Sequence, residues 1–174
     1  MTDKKPMIPS EQARVAIEAM SRRVGLLHLC YARTLVREMG DARGRKLIEQ
    51  SIWDYGTEVG LATRRRVEAL GLEPTPENMG AGSDLSPLGF DHRAAVVDGE
   101  LRIRSLTCAL ADVWREYGEE ELGQIYCLVD PAKMQAYAPE LTLVHTKCIP
   151  LGDECCELAV RPAGETKGEG KDSV

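Results

Sequence analysis

The chain has 174 residues, of which 43% are hydrophobic, and a net charge of −6. That length fits one domain, large enough to bury about two thirds of its unfolded surface without covalent staples. Acidic and basic residues are mixed along it, which excludes nucleic acid as a main partner, because phosphate contacts need a concentrated basic surface.

No apolar run approaches the roughly 18–20 residues of a membrane span, and Met1 to Ser10 lacks the apolar centre of a signal peptide. The expectation is a cytoplasmic protein with no membrane partner. Residues 1–9 and the Gly/Glu/Lys-rich stretch 162–174 read as disordered flanks of one domain over 10–161. Ser10 is placed to cap a long first helix. Its apolar stripe runs Ala13, Ile17, Met20, Val24, Leu27, Tyr31 and Leu35, in steps of three and four. Gly40 ends it. A second helix follows from about Ala42 to Leu70, with the stripe Ile48, Ile52, Tyr55, Val59 and Val67, and the two should pack as an antiparallel pair. Arg64-Arg65-Arg66 reads as the solvated end of that helix, near the negative pole of its dipole.

The stretch Glu73 to Phe90 is rich in Gly, Pro, Ser and Asn and long for a connection, which predicts a lid or binding loop over a pocket mouth. The period then switches to alternation. Ala94–Val97 and Leu101–Arg104 read as a β-hairpin about Asp98-Gly99, a pair suited to a type I′ turn. A helix is expected from about Ser105 to Tyr117 and another helical stretch around Leu122 to Val129. Asp130-Pro131 reads as the N-cap and first position of a further short helix. Leu141–Ile149 and Cys155–Val160 form a second hairpin about Pro150 to Asp153. The fold class is therefore α+β: a long antiparallel helix pair, then a small antiparallel sheet of β-hairpins with intervening helices. Whether the hairpins share one sheet is left open by the sequence.

The six cysteines are Cys30, Cys108, Cys127, Cys148, Cys155 and Cys156, four of them within the last third of the chain. Without an export signal they read as thiols. A thiolate is both a strong nucleophile and a soft metal ligand, and either use needs a lowered pKa. Cys108 falls early in its helix, where the dipole favours an anion. Cys127 falls just before the next helix start. Cys156 alternates with Leu158 and Val160 and so points to the core side of its strand, whereas Cys155 faces away. Burial as small hydrophobes is the plain alternative for each. The spacing matches no zinc finger, but a zinc site assembled in three dimensions from Cys108, Cys127, Cys156 and His145 stays open, with no cofactor demanded.

His145 shares a strand face with Leu141 and Leu143, next to the cysteine strand. His28 lies on the apolar side of the first helix and reads as a hydrogen-bonded core residue, and His92 falls in a loop. Asp54 and Glu58 read as solvated carboxylates. Gly56 and Gly60 interrupt the second helix, where each costs roughly 1 kcal/mol relative to Ala. Close packing and a substrate-admitting groove explain them equally well.

Thr107-Cys108, Trp114, Gly123, Tyr126-Cys127, Asp130 and the closing Gly152-Asp153-Glu154-Cys155-Cys156-Glu157-Leu158 together resemble the L-2-amino-thiazoline-4-carboxylic acid hydrolase family. Members carry a Cys ahead of a Trp-bearing helix, a Tyr-Cys-x-x-Asp segment and a Gly-Asp-x-x-Cys-x-hydrophobic hairpin. The last position, often aromatic, is Leu158 here, and Cys148 and Cys155 stand outside the pattern. The resemblance implies hydrolysis of a carbon–nitrogen bond in a small cyclic amidine or isothiourea, on an architecture similar to vinyl-reductase-type small-molecule-binding domains. It implies Cys108 and Cys127 as nucleophile candidates, with Asp130 or Asp153 orienting water or a substrate nitrogen. Cys156, His145, Gly56 and Gly60 would line the substrate. The alternative is a non-catalytic binding or sensing domain with a cysteine-lined pocket. The expected partner is a small-molecule substrate, and a homo-oligomer is compatible with the composition.

Overall fold

The computed structural model describes residues 8–164, apart from Phe90 and Asp98. The flanks read as disordered thus lie outside the described residues except for Ile8, Pro9 and 162–164, and Pro162 closes a strand. Helix α1 (Ser10–Met39) and helix α2 (Asp41–Ala69) are parted by Gly40 alone. Gly40 sits at φ +79°, a left-handed conformation that a residue without Cβ adopts at little cost, so the chain reverses within one residue and the pair is antiparallel. Pro9, not Ser10, is the residue before the first helical turn, and no side chain caps it. Among the described residues no helix is long and apolar enough to cross a membrane.

The buried side of α1 differs from its stripe of large apolar residues. Gly25, His28, Leu29 and Ala32 are buried, while Met20, Leu27 and Tyr31 remain 59, 57 and 67% exposed. Small residues decide this. A Cβ on Gly25 would lie 3.1 Å from Leu110 Cα, so the backbones approach closely there, and the Trp114 indole N–H reaches the Gly25 carbonyl at 3.2 Å. In α2 the expected Ile48, Ile52 and Val67 are buried, joined by Gly44, Gly56, Gly60 and Thr63.

The connection after α2 is not a free loop. It holds a turn of 3-10 helix at Pro76–Asn78, the short helix α3 (Met79–Gly82) and a second such turn at Pro87–Gly89. Gly82 is pressed onto the Thr63 carbonyl and Val67, and Gly89 onto Ile17. The Tyr137 hydroxyl donates to the Thr75 carbonyl at 2.9 Å. The segment is a strap on the helix pair, where the sequence had led us to expect a lid.

Strands β1 (His92–Val97), β2 (Glu100–Ser105), β3 (Leu141–Lys147) and β4 (Cys156–Pro162) form one antiparallel sheet in the order β1-β2-β4-β3. The two hairpins are therefore joined side by side through β2 and β4. Asp98 of the expected Asp-Gly turn lies outside the described residues, and Gly99 has the positive φ of +80° that such a turn requires. Between the hairpins run α4 (Ala109–Glu116), α5 (Glu120–Gly123), a 3-10 stretch at Gln124–Leu128 and α6 (Val129–Tyr137). Helix α4 starts four residues later than its apolar spacing implies, because Ser105 is held in β2 by pairing with Cys156. Asp130 and Pro131 lie inside the first turn of α6, not at its cap, since Leu128 before it is already helical.

Helices cover one face of the sheet. Leu29, Ala32, Ile48, Ile52, Leu110, Trp114 and Ile125 form the larger core cluster, and Val67, Met134, Tyr137 and Leu143 the smaller. The other face carries Arg102, Arg104 and Arg161, paired with Glu100 and Glu157.

Candidate active site

The register of the sheet assembles the site. His92 pairs with Ser105 across β1 and β2, and Ser105 pairs with Cys156 across β2 and β4. Cys148 follows the Lys147–Glu157 pair by one step and so stands opposite Cys156. Alternation puts this row on the same side as Leu158, which packs against the helix-side core. One line of imidazole, hydroxyl, thiol and thiol thus crosses the sheet, from the exposed His92 on β1 to buried Ser105 and Cys148. Above it stand Cys108, the residue preceding α4, Cys127 from the 3-10 stretch and Asp130 from the first turn of α6. Cys108, Cys127 and Cys156 all pack on the larger core cluster. Cys148 joins them. Cys155 is buried elsewhere and Cys30 is exposed on α1.

Cys127, Cys148 and Cys156 are close enough to shift one another's titration. Cys148 bonds to both Cys127 and Cys156; the first bond raises its pKa and the second lowers it. With burial added, Cys148 is pushed up to about 12. Cys156 is pushed up as well, by its bond to Cys148 and then by burial, and its sulfur accepts the Ile149 N–H at 3.4 Å. Burial also pushes Cys108 up, against the opposing pull of the Ala111 and Leu110 N–H groups. The helix-start effect expected to favour a Cys108 thiolate is real but loses to desolvation.

Asp130 is the charged centre of the site. Its Oδ1 lies 3.3 Å from Lys133 Nζ and its Oδ2 3.3 Å from His145 Nε2. Burial works to raise its pKa, but the Lys133 charge and then the His145 contact outweigh it and hold the carboxyl down at about 2. The His145 contact is ionic in distance yet misaligned, and both buried ring nitrogens lack a hydrogen-bond partner. His92 Nδ1 and Ser105 Oγ are hydrogen-bonded at 2.5 Å. Burial pushes His92 down, Asp130 pulls it up and Lys133 opposes that pull.

Other expected site residues take different places. A Cβ on Gly56 would lie 2.7 Å from Ala132 Cβ, and one on Gly60 2.3 Å from the Lys133 carbonyl oxygen. Of their two explanations, close packing of α2 on α6 is the one observed, and no groove opens there. Asp153 Oδ2 accepts the Cys148 N–H at 2.7 Å, a turn contact that braces the thiol row. His28 is the core residue it was expected to be, buried, with Nε2 3.4 Å from the Leu122 carbonyl and edge-on to Tyr126. An apolar groove of about 440 Å³ lies between α1 and α2, lined by Val24, Leu27, Ile52, Tyr55 and Tyr126, and none of the cysteines lines it. Zinc does not fit: among the described residues no group of three or more His, Cys, Asp or Glu side chains is arranged to hold a metal.

His92, Ser105, Lys133 and Cys148 were not singled out from sequence. A signal for three of them was present. His92 and Ser105 are equidistant from the Asp98-Gly99 turn, and Cys148 and Cys156 are equidistant from Gly152.

No curated protein and no solved structure matches the chain. A family model does, over residues 18–160, a span that takes in most of α1, all of α2 and every residue of the thiol row and its surroundings. The chain belongs to the L-2-amino-thiazoline-4-carboxylic acid hydrolase family.

Proposed function

We propose that this protein hydrolyses a carbon–nitrogen bond in a small cyclic amidine or isothiourea, of the 2-amino-thiazoline-4-carboxylate kind, with Cys127 as nucleophile. The observation that carries this reading is the cluster of neighbouring thiols Cys127, Cys148 and Cys156, with the ionised Asp130 carboxylate one turn beyond Cys127 in the chain. The thiolate is the nucleophilic form of a cysteine. Its attack on the C=N carbon forms a C–S bond and moves the π electrons to nitrogen, which takes a proton. The tetrahedral adduct then expels the ring nitrogen, and water cleaves the remaining thioester-like bond to free Cys127. Asp130 suits the N–H groups of a cationic amidine, because it stays ionised at any physiological pH. Lys133 suits the substrate carboxylate.

The test is turnover of a panel of thiazolines and related amidines by the wild type, Cys108→Ser and Cys127→Ser. Loss of about 10³-fold or more in Cys127→Ser is expected, since an unassisted hydroxyl is a far weaker nucleophile, with Cys108→Ser retaining most activity. Full turnover in Cys127→Ser would remove the assignment. A second reading, a binding domain without catalysis, is favoured by the raised pKa of Cys108, Cys148 and Cys156, because protonated thiols suit a pocket wall better than a reaction centre. Tight binding of a panel member with no turnover by the wild type would establish it.

A further inference from the structure

We propose that the outer face of the α1–α2 pair seats a second copy of this chain, the two helix pairs stacking antiparallel about a two-fold axis. Core packing leaves that face without a partner. Helix α1 turns Gly25 and Ala32 inward and presents Met20, Val24, Leu27 and Tyr31 outward, 59, 39, 57 and 67% exposed. Their steps of four, three and four make the narrow seam of a helix that packs lengthwise on another helix. On α2 the exposed row is Arg43, Leu47, Ser51, Tyr55 and Glu58, one face at helical spacing. Between the two rows lies the apolar groove of about 440 Å³. A contiguous apolar patch of this kind marks an interaction surface. The stretches 1–7 and 165–174 offer only Met1, Met7 and Val174 as large apolar side chains, too few to cover about three turns of seam.

Charge, register and area all point to a second copy. On α2, Arg45, Arg64 and Arg66 are paired with acids, whereas among the described residues Arg43 and Glu58 have no ion-pair partner. With α2 antiparallel on the partner's α2, and α1 on the partner's α1, the rows are self-complementary. Arg43 meets the partner's Glu58, Leu47 meets the partner's Tyr55, and Ser51 meets its own counterpart. On α1, Leu27 meets the partner's Tyr31. One axis serves both helices. Gly44 is pressed onto Val36, so Ser51, seven residues on, stands level with Leu29, seven residues back, midway between Leu27 and Tyr31. The other face-to-face arrangement, α1 on the partner's α2, would set Arg43 against the partner's Arg37, and like charges so placed oppose association. Each patch thus meets itself, as a two-fold dimer requires. Helix α1 has 30 residues, so the face is about 45 Å long and about 20 Å, or two helix diameters, wide. That product, roughly 900 Å², meets the about 800 Å² per partner of a stable interface. Tyr31 and Tyr55 supply aromatic anchors within it.

The experiment is sedimentation equilibrium of the full chain over about a hundredfold range of concentration, with circular dichroism and thermal unfolding to show that each variant is folded. The wild type should be a dimer. The double variant Leu27→Glu/Tyr31→Glu should be monomeric throughout, and folded, because both side chains are exposed in the single chain. Arg43→Glu and Glu58→Arg each place like charges together twice in a two-fold dimer, and each should raise the dissociation constant about tenfold. The exchange Arg43→Glu/Glu58→Arg restores opposite signs and should return it to within about threefold of the wild type. A wild type that is monomeric at every concentration overturns the proposal and leaves the groove to a small apolar ligand. A dimer unmoved by Leu27→Glu/Tyr31→Glu overturns it as well, because the copies then meet on another face. An exchange variant no tighter than the two single variants overturns the antiparallel stacking.

Discussion

Asp130 is a carboxylate whose pKa burial raises and its neighbours lower. Lys133 one turn along α6 supplies the opposing charge and His145 on β3 lies against the other carboxylate oxygen, and together they carry the pKa below that of a free aspartate, to about 2. A carboxyl depressed on folding contributes stability that is complete above its unfolded value, near 4, and is lost as the pH falls through the folded value. Asp130→Asn should therefore cost on the order of 2 kcal/mol at pH 7. The gap from wild type should close between about pH 4 and pH 2, measured by urea denaturation at each pH. A gap independent of pH would mean that the carboxylate charge contributes nothing to folding. At the same scale, Cys108 shows how a helix start can hold a thiol without activating it, because the desolvation that comes with packing exceeds the pull of two backbone N–H groups.

Among the elements, Glu157 joins more strands of the sheet than its fellow acid Glu100. Glu157 on β4 is buried and accepts from Arg102 Nη1 at 3.1 Å and Arg104 Nη2 at 2.7 Å on β2, and from Thr146 Oγ1 at 2.8 Å on β3. The register shift between His145 and Lys147 is what turns Thr146 to this outer face while Cys148 regains the inner one. One carboxylate thus ties three strands on the face opposite the thiol row. Glu157→Ala should cost about 2–3 kcal/mol, because it leaves half-buried guanidinium groups without their partner, and Glu157→Gln less. Equilibrium denaturation of the two variants checks the order. If Ala and Gln are equally mild, the ladder of charges is only a surface feature.

At the scale of the molecule, the site exists because two layers are held at a short distance. Gly56 and Gly60 let α2 lie directly on α6, and α6 carries Asp130 and Lys133 over the sheet. A methyl group at Gly60 would meet backbone, the Lys133 carbonyl at 2.3 Å, and not a side chain that can swing away. Gly60→Ala should destabilise by about 2–3 kcal/mol and reduce turnover by moving Asp130. Gly80→Ala, with nothing within 4 Å of the added carbon, should be neutral or slightly stabilising. Thermal unfolding and activity of the two variants decide this; equal behaviour would show that the close approach at Gly60 is not limiting.

The sequence by itself determined what depends on near neighbours. Gly40 and the stripes of α2 fix the helix pair, and the periods of two fix the hairpins. The positions of the Asp98-Gly99 and Gly152 turns fix which residues stand opposite within each hairpin, and the motif residues fix the family. Only the tertiary structure decided what depends on packing between elements. That β2 pairs with β4, and not with some other edge, is a long-range hydrogen-bonding choice with no local signature, and it alone joins His92 and Ser105 to Cys156 and Cys148. The buried face of α1 was likewise decided by close backbone approach at Gly25, which outweighs a stripe of larger apolar side chains left facing outward. The burial of the thiols was decided there too, because desolvation arises only when three separate segments meet.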